Sequence, residues 1–425
     1  MTVRMALLFS LITSMCLVTI GLPAQQAGSE APAGFDTPTL QSQNAGSRSS
    51  SNGISEPSGD SFARDQQVFE KREDAGLGLG PVFNATSCSE CHQNPVSGGA
   101  SQITEIRVGH RDDNGNFVNP TVAIQGGTVS GRSLINDRAI CPDVQEHVPD
   151  AENIRTLRAV LGTLGDGFVE AIDDDTLIDL ASRQPSLSDG AIRGEAIQVP
   201  ILEAPGQTRV GRFGWKDQHG SLLSFTADAY LNEMGITSRL KPTDMTNVCK
   251  ITADPEDTPD ELGMANIDHF AQFIRGTKVP PRDPMLAATP DAQAGQRLFD
   301  NVGCNICHVV SITTAPAGTV LNGGMFTVPD ALGNKVIHPF SDFLLHDIGT
   351  GDGIVQVGPQ DTAPKLRTAP LWGLRMKSRF MHDLTSLTTQ DAILRHGGEA
   401  RHVERRFRAL TTSEKQQLIT FLKSL

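Results

Sequence analysis

The sequence predicts a mainly α chain of two related modules, the first enlarged by an insertion that carries a few short β-strands and long loops. Three observations predict it. The string Cys88-Ser-Glu-Cys91-His92 returns as Cys304-Asn-Ile-Cys307-His308. Each copy follows apolar residues at helical spacing, Phe62, Val68 and Phe69 before the first and Ala294, Leu298 and Phe299 before the second. Further strings recur downstream in the same order, the mark of a duplicated unit. Arg155-Thr156 with Leu161-Gly162-Thr163-Leu164 matches Arg367-Thr368 with Leu371-Trp372-Gly373-Leu374, and Arg212-Phe213-Gly214-Trp215-Lys216-Asp217 matches Arg379-Phe380-Met381-His382-Asp383.

From the N-terminus, residues 1–24 read as a secretory signal. Arg4 supplies the basic start, Met5 to Leu22 the apolar run, and Pro23-Ala24 a cleavage site with a small last residue. A periplasmic location is therefore expected, with no membrane span left after cleavage. Cys16 follows Met15, which is too large for a lipid-attachment site. Residues 25–58 are rich in Ser, Gly, Ala, Gln and Asn and are expected to form a disordered linker, because they bury too little apolar surface to offset ordering. The first module spans 59–280. It opens with a helix in Ser61 to Ala75 and a glycine-rich turn at Gly76 to Gly80. Phe83 stands five residues before Cys88, as Phe299 does before Cys304; an aromatic there can pack on the group the motif binds, and ordinary core packing is the compatible alternative. Short Val/Thr/Ile runs at Val118 to Val129 and in the insertion Glu170 to Val210 predict strands. Pro280, Pro281 and Pro284 mark the boundary, and the second module spans 281–425. Thr289-Pro290 starts a helix with a cap and a first-turn proline. Thr411-Thr-Ser-Glu414 is a capping box for a last helix whose apolar face holds Leu418, Ile419, Phe421 and Leu422.

The 425 residues carry a net charge of -13, which argues against nucleic acid or an anionic membrane surface as partner. Of seven cysteines, Cys16 leaves with the signal and four belong to the motifs. Cys141 and Cys249 remain; in an oxidising compartment a disulfide between them is the simplest account, and two separate buried thiols the alternative.

The Cys-x-x-Cys-His spacing has a mechanical reason. Two cysteines three apart can each form a thioether to one porphyrin, and the next histidine is placed beneath the iron. Two covalently bound haem c groups are therefore expected, with His92 and His308 as proximal ligands. Zinc on four cysteines is the alternative. Against it stand the histidine directly after each pair and the wide separation of the pairs. The ligand on the far side of each iron decides function, since two strong ligands suit electron transfer and an open position suits chemistry. His396, in His396-Gly397-Gly398-Glu399 after a helix-like run, is the expected distal ligand of the second haem, with His382, Met381 and His346 as rivals. Aligning Leu387 with Leu222 drops His396 near Leu231, in Tyr230-Leu-Asn-Glu233-Met234-Gly235, so Arg395-His396-Gly397-Gly398 is read against Asn232-Glu233-Met234-Gly235. A carboxylate or thioether thus replaces an imidazole. Glu233 could move the proton that O–O cleavage requires, or could be an ordinary surface residue.

Together these strings resemble the bacterial di-haem cytochrome c peroxidases and the methylamine-utilisation di-haem enzyme, and most closely the di-haem oxidoreductase branch with two Cys-x-x-Cys motifs. The resemblance covers residues 60 to 425. It is carried by Gly78-Leu-Gly-Pro-Val-Phe-Asn-Ala85, Gly211-Arg-Phe-Gly-Trp-Lys216, Glu233-Met-Gly-Ile-Thr-Ser238, Leu345-His-Asp-Ile348, Arg367-Thr-Ala-Pro-Leu-Trp-Gly-Leu374 and His396-Gly-Gly-Glu-Ala400. It implies a distal glutamate at Glu233 on a peroxidatic first haem and a tryptophan between the haems at Trp215. His396 stands where those peroxidases place a methionine, which implies bis-histidine ligation and a lower potential. They hold calcium between domains through Thr-x-Pro before Phe-His-Asp; Met376-Lys-Ser-Arg-Phe380 stands there instead, so that ligand pattern is missing. The expected function is a peroxidase-like oxidoreductase. It would take electrons at the second haem from a small cytochrome or cupredoxin and reduce hydrogen peroxide at the first. The alternatives are a plain electron carrier, or oxidation of another substrate through high-valent iron.

Overall fold

Among the described residues ten helices, most with the caps their sequences announce, frame the fold. The computed structural model describes residues 28–35, 51–249 and 257–425, and the signal segment lies outside them. The described helices are α1 (Phe62–Glu70), α2 (Asp166–Glu170), α3 (Asp174–Leu187), α4 (Leu222–Met234), α5 (Asn266–Gly276), α6 (Pro284–Ala287), α7 (Pro290–Val302), α8 (Thr389–Leu394), α9 (Arg401–Ala409) and α10 (Thr412–Leu422). Ser61 caps α1 through the amide of Arg64. Thr289 caps α7, with Pro290 in its first turn. Thr411 and Glu414 form the capping box of α10. Each satisfies amides that a helix start leaves unpaired.

Strands are more numerous than the mainly α expectation allowed, though most are two to four residues long. The largest sheet centres on Thr104–Arg111. It pairs antiparallel with Ile154–Ala159 over six residues, and with Leu134–Ile135 and Phe117–Val118. Its sequence hides it because Arg107, at an inward position, is charged yet buried. The insertion is chiefly α3, with one hairpin pairing Gln198–Pro200 to Thr208–Val210.

The expected linker is corrected in its described parts. Ser29–Glu30 pairs in parallel with Lys335–Ile337, and Ala33 bridges Val279. The Asn52 amide donates to the carbonyls of Arg275 (2.7 Å) and Thr277 (3.1 Å). Main-chain and amide hydrogen bonds hold these stretches, a force that a count of apolar side chains does not see.

The largest apolar core runs from Ile54, Phe62 and Phe69 through Phe270 and Phe273 to Ile312, Val328 and Phe343. It therefore lies on both sides of the predicted boundary at residue 280, because the chain after the second motif folds back onto the first half. A second core joins Phe299 and Val302 of α7 to Phe407 and to Leu418, Phe421 and Leu422 of α10. Cys141 and Cys249 are bonded to each other, with Cα atoms 6.4 Å apart. Among the described residues no helix is long and apolar enough to cross a membrane.

Candidate functional site

At the second motif, α7 stops at Gly303, whose left-handed backbone (φ 98°) turns the chain sharply into Cys304. One tight turn follows, and the amide of His308 donates to the carbonyl of Cys304 (2.9 Å). The Nδ1 of His308 donates to the carbonyl of Phe340 (2.9 Å), and Nδ1 of His396 to the carbonyl of Ala392 (2.9 Å). Both rings thus keep Nε2 for another partner, the usual arrangement of a metal-bound imidazole. Their centres lie 6.4 Å apart. Two imidazoles bonded at about 2 Å to one metal ion stand roughly 6 Å apart, so the pair fits an iron between them. Burial pushes both rings below their ordinary value, His308 to about 4, which keeps them in the neutral, ligating form.

The rivals line the same cavity but are engaged otherwise. His346 is held by Asp342 at Nε2 (2.9 Å) and Glu399 at Nδ1 (3.0 Å). His382 packs edge to face on Trp215. Met381 lines the same cavity as His308, but the ring opposite His308 is that of His396.

The first motif makes the same tight turn, with the amide of His92 donating to the carbonyl of Cys88 (3.0 Å). Phe69 of α1 meets the His92 ring at 6.2 Å, as Phe299 of α7 meets His308 at 6.3 Å. Phe69 in turn packs on Phe270 and Phe273 of α5, and Phe299 on Phe340 and on Phe421 of α10. The ring against His92 is thus that of Phe69, and Phe83 lies in the same core. It is buried in the strand Val82–Phe83, paired with Arg138–Ala139. The reason is that α1 ends at Glu70 and a long loop intervenes, whereas α7 runs directly into its motif. His92 Nδ1 is buried without a hydrogen-bond partner, and burial pushes the ring down to about 4. A neutral imidazole with an unsatisfied nitrogen suits a metal-binding site.

Beyond the motifs the two halves correspond, in a register the sequence misaligned. Phe213 bridges His219, and Phe380 bridges Ser386. Two residues later Ser221 caps α4, and Thr388 caps α8. Counted from these caps, Thr389 and not Leu387 matches Leu222. Ala229 then stands where His396 stands, and Glu233 lies one turn further on. The misreading has a cause: α4 runs 13 residues, whereas α8 stops after six, just short of His396-Gly397-Gly398. The pairing of Arg155 with Arg367 also shifts. The amide of Ala159 donates to the carbonyl of His382 (2.6 Å), and that of Arg367 to the carbonyl of Trp215 (2.9 Å). This reciprocal exchange makes Ala159 the counterpart of Arg367.

Glu233 sits where the end of α4 meets the chain before the first motif. Its main-chain carbonyl accepts from Asn84 and Ala85, and its Oε2 accepts from the Asn84 side chain (2.9 Å). Glu105 approaches from the central strand and shares a hydrogen bond with it. Arg107, two residues along on the same strand face, is bonded to Glu105. Burial, and then the charge of Glu105, push Glu233 up to about 8. Burial opposes ionisation of Glu105 as well, but Arg107 overrides it and holds that carboxyl below its ordinary value. The charges of Glu233 and Glu105 both bear on Cys91, which places the pair beside the first motif. Sequence reasoning missed Glu105 and Arg107. Their signal was two charges on one face of a strand soon after His92.

Trp215 donates from Nε1 to the carbonyl of Ala159 (2.8 Å). With Trp372 it lines the cavity that holds His308 and His396, which also reaches the segment following His92 at Asn94, Pro95 and Gly99.

Structural comparison finds similarity to a hydrazine synthase chain of Kuenenia stuttgartiensis, 13% identical over 98% of this chain and 99% of that one, TM-score 0.39. A MauG-like protein associated with microbial copper homeostasis is 15% identical over 62% and 89%, TM-score 0.32. The diheme peroxidase BthA of Burkholderia thailandensis is 14% identical over 72% and 95%, TM-score 0.30. No curated protein matches the sequence. Residues 143–425 match the family described as "Di-haem oxidoreductase, putative peroxidase", a span that holds the second motif, Trp215, Glu233 and His396. The chain belongs to the di-haem oxidoreductase family, whose cofactors are haems.

Proposed function

We propose that this is an exported, periplasmic di-haem c-type enzyme of two cytochrome-like modules that reduces hydrogen peroxide at its first haem. Haem c, attached through Cys88 and Cys91 and through Cys304 and Cys307, would supply two redox-active irons. The observation that carries the reading is the inequality of the two distal positions: His396 in one half, Ala229 in the other, with Glu233 a turn beyond.

His308 and His396 would hold the second iron from both sides, which suits it to accept and pass electrons. His92 would hold the first iron from one side, while Ala229 offers no ligating atom on the other. Glu233 is the proton source there. Asn84 fixes its Oε2, and Arg107 keeps Glu105 ionised, so the proton shared by the two carboxyls rests on Glu233 near neutral pH. Delivered to peroxide as the O–O bond breaks, that proton makes the departing oxygen leave as water. Two electrons and two protons convert one hydrogen peroxide to two waters. Trp215 and His382 stand between the halves, on the path from the second haem. The electrons would come from a small cytochrome or cupredoxin.

The test is peroxide-dependent oxidation of a reduced small cytochrome by wild type and Glu233→Ala, with spin states counted by EPR. Turnover by wild type, its loss in the variant, and one high-spin haem are expected. Wild-type turnover no greater than that of free haem, with two inert low-spin haems, would leave an electron carrier instead.

A further inference from the structure

Three carboxylates converge where the chain entering α1 meets α5. Glu56, Asp60 and Asp65 are 5%, 0% and 0% exposed. Each has one oxygen occupied: Glu56 Oε2 accepts from Gln272 (2.9 Å), Asp60 Oδ1 from the amide of Ser61 (2.8 Å), and Asp65 Oδ1 from His269 Nδ1 (2.6 Å). Each second oxygen, Glu56 Oε1, Asp60 Oδ2 and Asp65 Oδ2, is buried and has no hydrogen-bond partner. Three such orphans in one place are unusual, because a buried carboxylate oxygen without a donor costs free energy on the order of 1–3 kcal/mol or more.

The positive charge at hand is insufficient. His269 contacts the group, but its Nε2 is also engaged by Asp260 (3.1 Å). Arg64 is taken up by Asp260 and Glu261. Three buried carboxylates therefore face one imidazolium.

The geometry suits an ion. One ligand atom each from Asp60, Asp65 and His269 lie within 4.8 Å of one another, the span of two donors about 2.4 Å from a shared calcium; Glu56 stands outside that trio, beside it. The chemistry selects among ions. His269 has both nitrogens committed to carboxylates, so the free donors are all oxygen, which favours a hard cation over zinc.

We propose that Asp60 and Asp65 form the centre of a calcium site that ties the entry of α1 to α5, with His269 orienting Asp65 and the buried Glu56 adding charge beside it. Its place gives it a consequence. Asp65 lies one turn before Phe69, and His269 adjoins Phe270, so the ion braces the helix crossing that packs on His92. It is separate from the Thr-x-Pro pattern absent before Phe380.

The test uses the haem-loaded protein, its divalent ions removed with a chelator. Elemental analysis after re-addition of calcium and desalting, and thermal unfolding at rising calcium, are read for wild type, Asp60→Asn and Glu56→Gln. About one calcium per chain and an upward shift in Tm are expected, both lost in Asp60→Asn and weakened in Glu56→Gln. Should the variants not fold, the wild-type titration decides alone. No retained calcium and an unchanged Tm at millimolar calcium would overturn the site. Retention of zinc in preference to calcium would overturn the assignment of the ion.

Discussion

Trp215 and His382 occupy matching positions of two repeated strings and meet edge to face, their ring centres 6.1 Å apart. The strands beside them exchange reciprocal hydrogen bonds, Ala159 to His382 and Arg367 to Trp215. The repeat thus folds onto itself where the two halves meet.

Trp215→Phe removes the indole and its bond to Ala159 while keeping an aromatic ring. Haem-to-haem electron redistribution after pulsed reduction should slow by about tenfold, a barrier increase of about 1.4 kcal/mol. The absorption spectra of both haems should stay unchanged. An unaltered rate would show that Trp215 is only a packing residue.

His396→Gly should open the second haem. The low-spin signature of that haem should be lost and should return when imidazole is added, because the space beside Gly397 and Gly398 then admits the free base. Retention of a low-spin bis-imidazole spectrum without added base would place the ligand elsewhere.

Glu233 holds its proton below about 8 and loses it above. If it donates that proton, peroxide turnover falls as pH rises through that value. Glu233→Gln should lower turnover by about 10²–10⁴-fold and abolish this limb. Glu105→Gln removes the charge that raises Glu233, so the limb should move to lower pH. Movement to higher pH would contradict the shared-proton arrangement.

The Cys141–Cys249 bond closes a loop of 108 residues. Replacing both with serine should cost about 2–5 kcal/mol, read from chemical denaturation of the holoprotein. Haem content should be unchanged, since neither residue belongs to a motif.

Phe69 and Phe299 take equal places against His92 and His308. Either one changed to Ala should destabilise by about 3–5 kcal/mol through lost burial and the cavity left behind. The Soret spectrum should report the damage at the first haem for Phe69 and at the second for Phe299. Loss of both haem signals from one substitution would mean that the two cores unfold as a single unit.

Local chemistry was legible in the sequence wherever it depends on residues near one another in the chain. The two tight turns that present His92 and His308 need only five consecutive residues each. The caps at Ser61, Thr289 and Thr411 need only four. His396 was legible because a histidine followed by two glycines ends a helix. The central strand was not, because Arg107 is buried in defiance of its charge and hides the alternation.

What the sequence by itself determined is that the chain carries two like motifs, since a motif is written in residue types. Tertiary structure alone decided which residues meet. It moved the match of His396 from Leu231 to Ala229, set Phe69 against His92, and brought Glu105 and Arg107 to Glu233 from more than a hundred residues away. The physical reason is common to all three. Helix length and strand pairing set register in space, and a loop of any length can separate two residues that a shared proton or a packed ring must bring together.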